Sequence, residues 1–174
     1  MQLRPPLVVP IALIAGFAMA QQSAQQPHFV DADEAKLVSV AGAPECQSFA
    51  LEHGDPKAGS SVTLVKIGPS GCTVPMHWHS ANEQVMLISG TAKVEMQGEQ
   101  PRTVKAGGFY FMPAHHLHQF SCASGCTFHR IVEGPIDIHY VDAAGNEIPA
   151  EKALAAFGEH PAQAVTAKTR EKKP

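Results

Sequence analysis

Between residues 61 and 141 the chain never holds an apolar spacing of three or four residues for long enough to build a helix. It runs instead in short apolar or alternating stretches cut by glycine and proline. Asp55, Pro56 and Gly59 mark one turn, Gln97 and Gly98 another, and Lys105 to Gly108, Ala123 to Gly125 and Gly134-Pro135 mark three more. Proline cannot donate to a strand ladder and glycine tolerates backbone angles other residues avoid, so such clusters read as strand ends. The runs between them are strand-like: 48–52, 61–67, 84–89, 91–96, 109–112, 128–133 and 136–141. In 91–96, Ala92, Val94 and Met96 alternate with Lys93 and Glu95, the period of a half-buried strand. Roughly ten short strands without a long helix predict an all-β chain, an antiparallel sandwich or barrel. Residues 150–157 have helical composition, with Gly158 as the cap. Met86, Phe109, Phe111 and Phe120 are assigned to core packing. Trp78, between two inward-facing positions, is expected to point outward against a neighbouring sheet or subunit.

Hydrophobic residues make up 44% of the chain, which suits one globular domain, and charged residues only 17%, which leaves few for long surface helices. The formal net charge of −3 excludes non-specific nucleic-acid binding, which needs a basic face. Residues 1–20 have the makeup of a secretory signal peptide: Arg4, an apolar stretch over 7–17, then Ala18, Met19 and Ala20 as an A-x-A cleavage site. Cleavage after Ala20 predicts a periplasmic or secreted protein with no stable membrane anchor. The rival is an uncleaved anchor, but the apolar run falls short of the about 20 residues that span a bilayer. The domain reading is a signal peptide at 1–20, a leader or arm at 21–45, a barrel at 46–142, and a helix with a polar tail at 143–174.

Seven of the ten histidines fall between His77 and His139, which gathers ligand chemistry in mid-chain. His77 and His79 stand two apart, so on an extended strand both imidazoles project from one face. A turn over 80–82 would bring Glu83 to the same point. Neutral imidazoles with a carboxylate suit a divalent first-row metal, Fe, Mn, Ni, Cu or Zn. A lone H-x-H is as often a surface pair. Here the apolar run 84–89 follows directly, and a second segment holding His115, His116 and His118 offers a further ligand.

These two segments resemble the two motifs of the cupin superfamily. Gly71, His77, His79, Glu83 and Gly90 match the first motif at every position, and Gly107, Pro113 and His118 match the second. His115 stands where the family has glycine, and Cys122 where it has asparagine. The resemblance spans about 48–141 and is nearest to small secreted bacterial single-domain cupins. It implies a double-stranded β-helix, or jelly-roll barrel, with His77, His79, Glu83 and His118 as metal ligands. His118 has the family spacing from Pro113, whereas His115 belongs to the turn and His116 to the entrance of the site. The resemblance also implies dioxygenase- or isomerase-like handling of a small oxygenated substrate, or else a non-catalytic metal or ligand binder acting as sensor or carrier. It is compatible with a homodimer.

Four cysteines in an exported chain allow three pairings. Cys122 and Cys126 flank the turn at Ala123, Ser124 and Gly125 and are expected to bridge, leaving Cys46 with Cys72; the alternative is four buried thiols. If 118–130 forms a hairpin centred on Ser124, His118 opposes Arg130 and the arginine shares the barrel interior. A buried arginine needs an anionic partner, and a substrate carboxylate is one, with His116 beside it. The alternatives are a bulge that turns Arg130 to solvent, or a pairing with Glu133 or Asp137.

Overall fold

The computed structural model of the chain describes residues 26–160 and residue 162. The expected signal peptide, the start of the leader and nearly all of the polar tail lie outside the described residues. The strands are β1 (Gln47–Gly54), β2 (Ser61–Ile67), β3 (Cys72–Trp78), β4 (Glu83–Met96), β5 (Arg102–Lys105), β6 (Phe109–Met112), β7 (His118–Cys122), β8 (Cys126–Val132) and β9 (His139–Tyr140), followed by the helix α1 (Ala150–Ala155). They pair in the order β1-β2-β8-β4-β7-β3-β9, with β5 and β6 added to β4. Every pairing is antiparallel. The sheet curls on itself into a barrel of the jelly-roll kind.

The long strand β4 makes that curl possible. Its first half pairs with β8 and β6, its second half with β7 and β5. Between the halves lie a register shift at Leu87/Ser89 and Gly90 at φ 80°. A bulge followed by a left-handed glycine bends a strand sharply. The two glycines that bracket the first histidine segment share one reason for being glycine. A Cβ on Gly71 would lie 2.6 Å from the Ala123 carbonyl oxygen, and one on Gly90 would lie 2.5 Å from that of Gly125. Both therefore press against the turn that joins β7 to β8.

That turn is not a hairpin. β7 pairs with β3 and β4, β8 with β2 and β4, and the chain steps from one wall of the barrel to the other at 123–125. The expected pairing of His118 with Arg130 therefore fails, because the two halves of β4 supply separate ladders for the two strands. Across the interior Phe120 still meets Phe128, with ring centroids 5.0 Å apart. Disulfides join Cys122 to Cys126 at this corner and Cys46 to Cys72 at the start of β1.

The core lies between the walls and includes Phe49, Val65, Val85, Leu87, Val94, Phe120 and Phe128. Burying each such side chain contributes about 1.5–3 kcal/mol. Phe120 belongs to it as expected. Met86, Phe109 and Phe111 do not: they are 40%, 55% and 47% exposed, as is Ile88 at 47%. Glu83, Val85 and Leu87 take the inner face of β4, so Met86 and Ile88 must take the outer one, and the ladder sets Phe109 opposite Met86 and Phe111 opposite Gln84. Strict alternation on a strand leaves no alternative.

The arm is pinned rather than loose where it meets the barrel. Val38 bridges Phe49, the Tyr140 hydroxyl donates to the Gly42 carbonyl at 3.1 Å, and Ala162 donates to the Ala43 carbonyl at 2.8 Å. The expected strand at 136–141 shrinks to β9, because the stretch before it folds over the loop after β3. Helix α1 stops at Ala155, short of the expected 157, with Gly158 at φ 71° just beyond. Among the described residues no helix is long and apolar enough to cross a membrane.

Candidate metal centre and cavity

His77 is the penultimate residue of β3, His79 follows the strand end, Glu83 opens β4 and His118 opens β7. The register sets His77 directly opposite His118, so both project to the same side. A shift between Val74 and His77 turns both of those inward although they stand three apart. His77, His79 and His118 are 3%, 5% and 1% exposed. Their ligand nitrogens all lie within 4.8 Å of one another.

The backbone decides which nitrogen of each ring faces inward. His77 Nδ1 lies 2.6 Å from the Pro75 carbonyl oxygen, His118 Nδ1 lies 2.9 Å from that of His116, and His79 Nδ1 meets that of Asp137. A carbonyl oxygen only accepts, so each Nδ1 carries the hydrogen and each Nε2 keeps a lone pair. Burial holds the His77 imidazole well below its ordinary pKa, with His118 and His79 adding to the effect, and burial lowers His118 in the same direction. His77 and His118 are therefore held as neutral bases, and the ligand atoms of all three rings converge on one point.

Glu83 stands beside this triad rather than within its tightest grouping. Its Oε2 lies 3.5 Å from His79 Nε2, and both atoms carry lone pairs toward each other. A cation between them would relieve that opposition. Three imidazole nitrogens with an adjacent carboxylate fit a divalent first-row metal. A second grouping, Cys46, Cys72 and Glu159, offers no thiolates because its cysteines are joined in a disulfide.

The second histidine segment divides its roles. His115 is exposed and sits at φ 61°, in the left-handed region, where glycine would be at ease. Its amide donates to the His79 carbonyl at 2.8 Å, which ties the two segments together, and its ring lies 4.7 Å from Trp78. Trp78 is half-buried and stacks flat on His139 of the neighbouring strand β9 at 3.8 Å. His116 was expected at the entrance of the site. It is half-buried and absent from the cavity wall, because the turn that delivers His118 carries it behind the ligands.

The triad opens into a cavity of about 380 Å³. Phe49, Val74, Phe120 and Phe128 supply apolar wall, and exposed Val38, Val40 and Leu51 form its rim. Arg130 lines it too, with its guanidinium carbon 5.2 Å from the Phe49 ring centroid. Neither proposed carboxylate pairs with it. Glu133 accepts from Asn82 and Gln84 at 2.8 and 2.6 Å, and Asp137 accepts from the Ser80 amide at 2.8 Å.

Two contributors were not foreseen. Tyr110 faces the cavity from β6, its phenol held well above the ordinary pKa by burial and then by Glu83. Asp137 lends its carbonyl to His79 and its carboxylate to Ser80. The signal for Tyr110 was its parity with Met112, opposite to the two flanking phenylalanines. Nothing local to Asp137 announces its role, since the contacts span 58 and 57 residues of sequence.

A family profile described as a cupin domain matches residues 63–132. No curated protein matches the chain. Among solved structures, an RmlC-like cupin from Ralstonia eutropha is 20% identical, covers 79% of this chain and 93% of its own, and superposes with a TM-score of 0.57. A candidate acetylacetone dioxygenase from Methylibium petroleiphilum is 21% identical, covers 78% and 97%, and also scores 0.57. The polyketide cyclase RemF from Streptomyces resistomycificus is 18% identical, covers 67% and 87%, and scores 0.56. At these identities the likeness is one of fold. With the barrel, the two histidine segments and the profile match in agreement, residues 63–132 form a cupin domain.

Proposed function

We propose that this chain is an exported, metal-dependent oxidoreductase of the dioxygenase type that acts on a small oxygenated organic substrate. The observation that carries the reading is the convergence of three Nε2 lone pairs, each fixed by a backbone carbonyl, at one side of a mainly apolar cavity. His77, His79 and His118 would hold a divalent first-row metal, with Glu83 as the fourth donor. Bound there, such an ion supplies Lewis acidity and, for Fe, Mn, Cu or Ni, redox chemistry. The residues of the chain supply the rest. The apolar wall excludes water from the substrate, the Tyr110 phenol offers a proton or hydrogen bond beside Glu83, and the opening toward Val38 and Val40 admits a small molecule. The signal-like composition of residues 1–20 supports export.

The test is elemental analysis of the purified mature protein, followed by oxygen uptake with a panel of small chelating substrates. About one equivalent of a first-row metal and metal-dependent uptake are expected. A second reading, a non-catalytic metal or ligand carrier, draws on the scarcity of a free general base: the cavity carboxylates are Glu83 and Asp137, and Asp137 is already engaged. Stoichiometric metal with no uptake on any substrate favours that reading, and absence of metal defeats the oxidoreductase and leaves only the ligand carrier. Intact mass from the native host tests export, since a chain still beginning at Met1 refutes cleavage.

A further inference from the structure

The cavity that holds the histidine triad also holds a guanidinium without a direct ion pair, on which the Glu83 carboxylate acts only from a greater distance. Among the described residues Arg130 is the one lysine or arginine in its lining. No carboxylate oxygen comes within ion-pair distance of it among the described residues. Its Nε is buried without a hydrogen-bond partner. The ring of Phe49 beneath it offers a cation–π contact, which is weak beside the cost of keeping a guanidinium out of water. A half-buried guanidinium with a buried, unpartnered Nε is placed to receive an anion from the cavity.

The ladder shows what that anion would meet. Arg130 lies opposite Val85, and Val85 opposite Tyr110, so the guanidinium and the phenol share one row of the inner wall. Glu83 opens the adjacent row, two residues along β4. An oxyanion on Arg130 would lie in the same row as the Tyr110 phenol, which already faces the Glu83 carboxylate, while Glu83 repels any further negative charge. The rest of the wall is aromatic and aliphatic.

We propose that Arg130 is the anion-receiving residue of this cavity and that the substrate class is a small monocarboxylate with an apolar body. This rests on the metal-centre reading for the chemistry but not for the binding. A planar carboxylate matches the guanidinium fork and can take two parallel N–H donors. Dicarboxylates are disfavoured, because a second charge would face either Glu83 or the apolar wall. Neutral analogues are disfavoured because they leave Arg130 unanswered.

The experiment is calorimetric titration of the purified mature protein with benzoate and with benzamide, which share a shape and differ in charge, together with metal analysis of the same samples. Benzoate should bind wild type at least about tenfold more tightly than benzamide. Arg130→Met, which keeps volume and removes charge, should lose the difference; Arg130→Lys should keep part of it; metal content should match wild type in both. Benzoate should raise the melting temperature of wild type and not of Arg130→Met. A preference for benzoate that survives in Arg130→Met overturns the proposal, as does wild type that does not distinguish the two probes. The wild-type comparison needs no variant to fold. Protein that lacks metal yet prefers benzoate through Arg130 sinks the metal-centre reading alone, and metal-replete protein with no preference sinks this one alone.

Discussion

Replacing His118 with alanine tests the centre most directly. The ring is fully enclosed, its Nδ1 is tied to the His116 carbonyl, and its other nitrogen is one of three aimed at a common point. A four-ligand site of structural-zinc strength is worth about 10–16 kcal/mol, or about 2.5–4 kcal/mol per ligand. Loss of one ligand should therefore weaken metal retention about 100- to 1000-fold. The fold should survive, because the space left merges with an existing cavity and the sheet core is apolar. His115→Gly is the matched control: it removes a histidine three residues away from a position whose φ of 61° suits glycine. The assay is competition against a chromogenic chelator, with circular dichroism to follow the strands. If His118→Ala retains metal like wild type while His115→Gly loses it, the ligand from the second histidine segment has been misassigned. If neither variant changes retention, the converging lone pairs do not bind metal and the centre as described is wrong.

Three further outcomes follow from the fold. Gly90→Ala should cost about 2–5 kcal/mol in urea unfolding, from left-handed strain plus a clash with the Gly125 carbonyl, whereas Gly98→Ala, at φ 79° with open space around it, should cost only about 1–2 kcal/mol; equal losses would show that the close approach does not matter. Loop-closure entropy assigns the Cys46–Cys72 bridge, with a sequence separation of 26, about 3.5 kcal/mol and the Cys122–Cys126 bridge, with a separation of 4, about 2 kcal/mol; serine pairs at each bridge, compared by denaturation, should rank in that order, and the reverse order would contradict it. Metal-free protein should lose stability as pH falls below about 6.5, because His77 and His118 are held neutral when folded and the unfolded chain takes up their protons, at up to about 1.4 kcal/mol per pH unit for each ring; a flat profile between pH 7 and 5 would mean that the rings already carry protons in the fold.

The first histidine segment was legible because its chemistry and its period agree. Two imidazoles two residues apart share a strand face whatever the topology, and the glycines at either end announce backbone that must pass close to something. What they pass close to was not legible. The contacts of Gly71 and Gly90 with the 123–125 turn cross more than thirty residues of sequence, and nothing local encodes them. The same gap produced the mistaken hairpin. A short turn between two strand-like runs reads locally as a hairpin, and only the long bent β4, which offers a ladder to each run separately, makes the turn a crossing between walls. Arg130 nonetheless reached the interior, because β8 alternates and Phe128 fixes its inner face; parity along one strand survives an error about which strand lies beside it. Parity also exposes the misreading of Met86, Phe109 and Phe111. Once Glu83 is taken as inward, β4 alternation sends Met86 out, and pairing across to β6 sends both phenylalanines with it. The reading gave hydrophobicity precedence over alternation. Alternation is the stronger constraint on this strand: with Glu83 held inward beside His79, and Val85 and Leu87 inward with it, Met86 has no inward position to take.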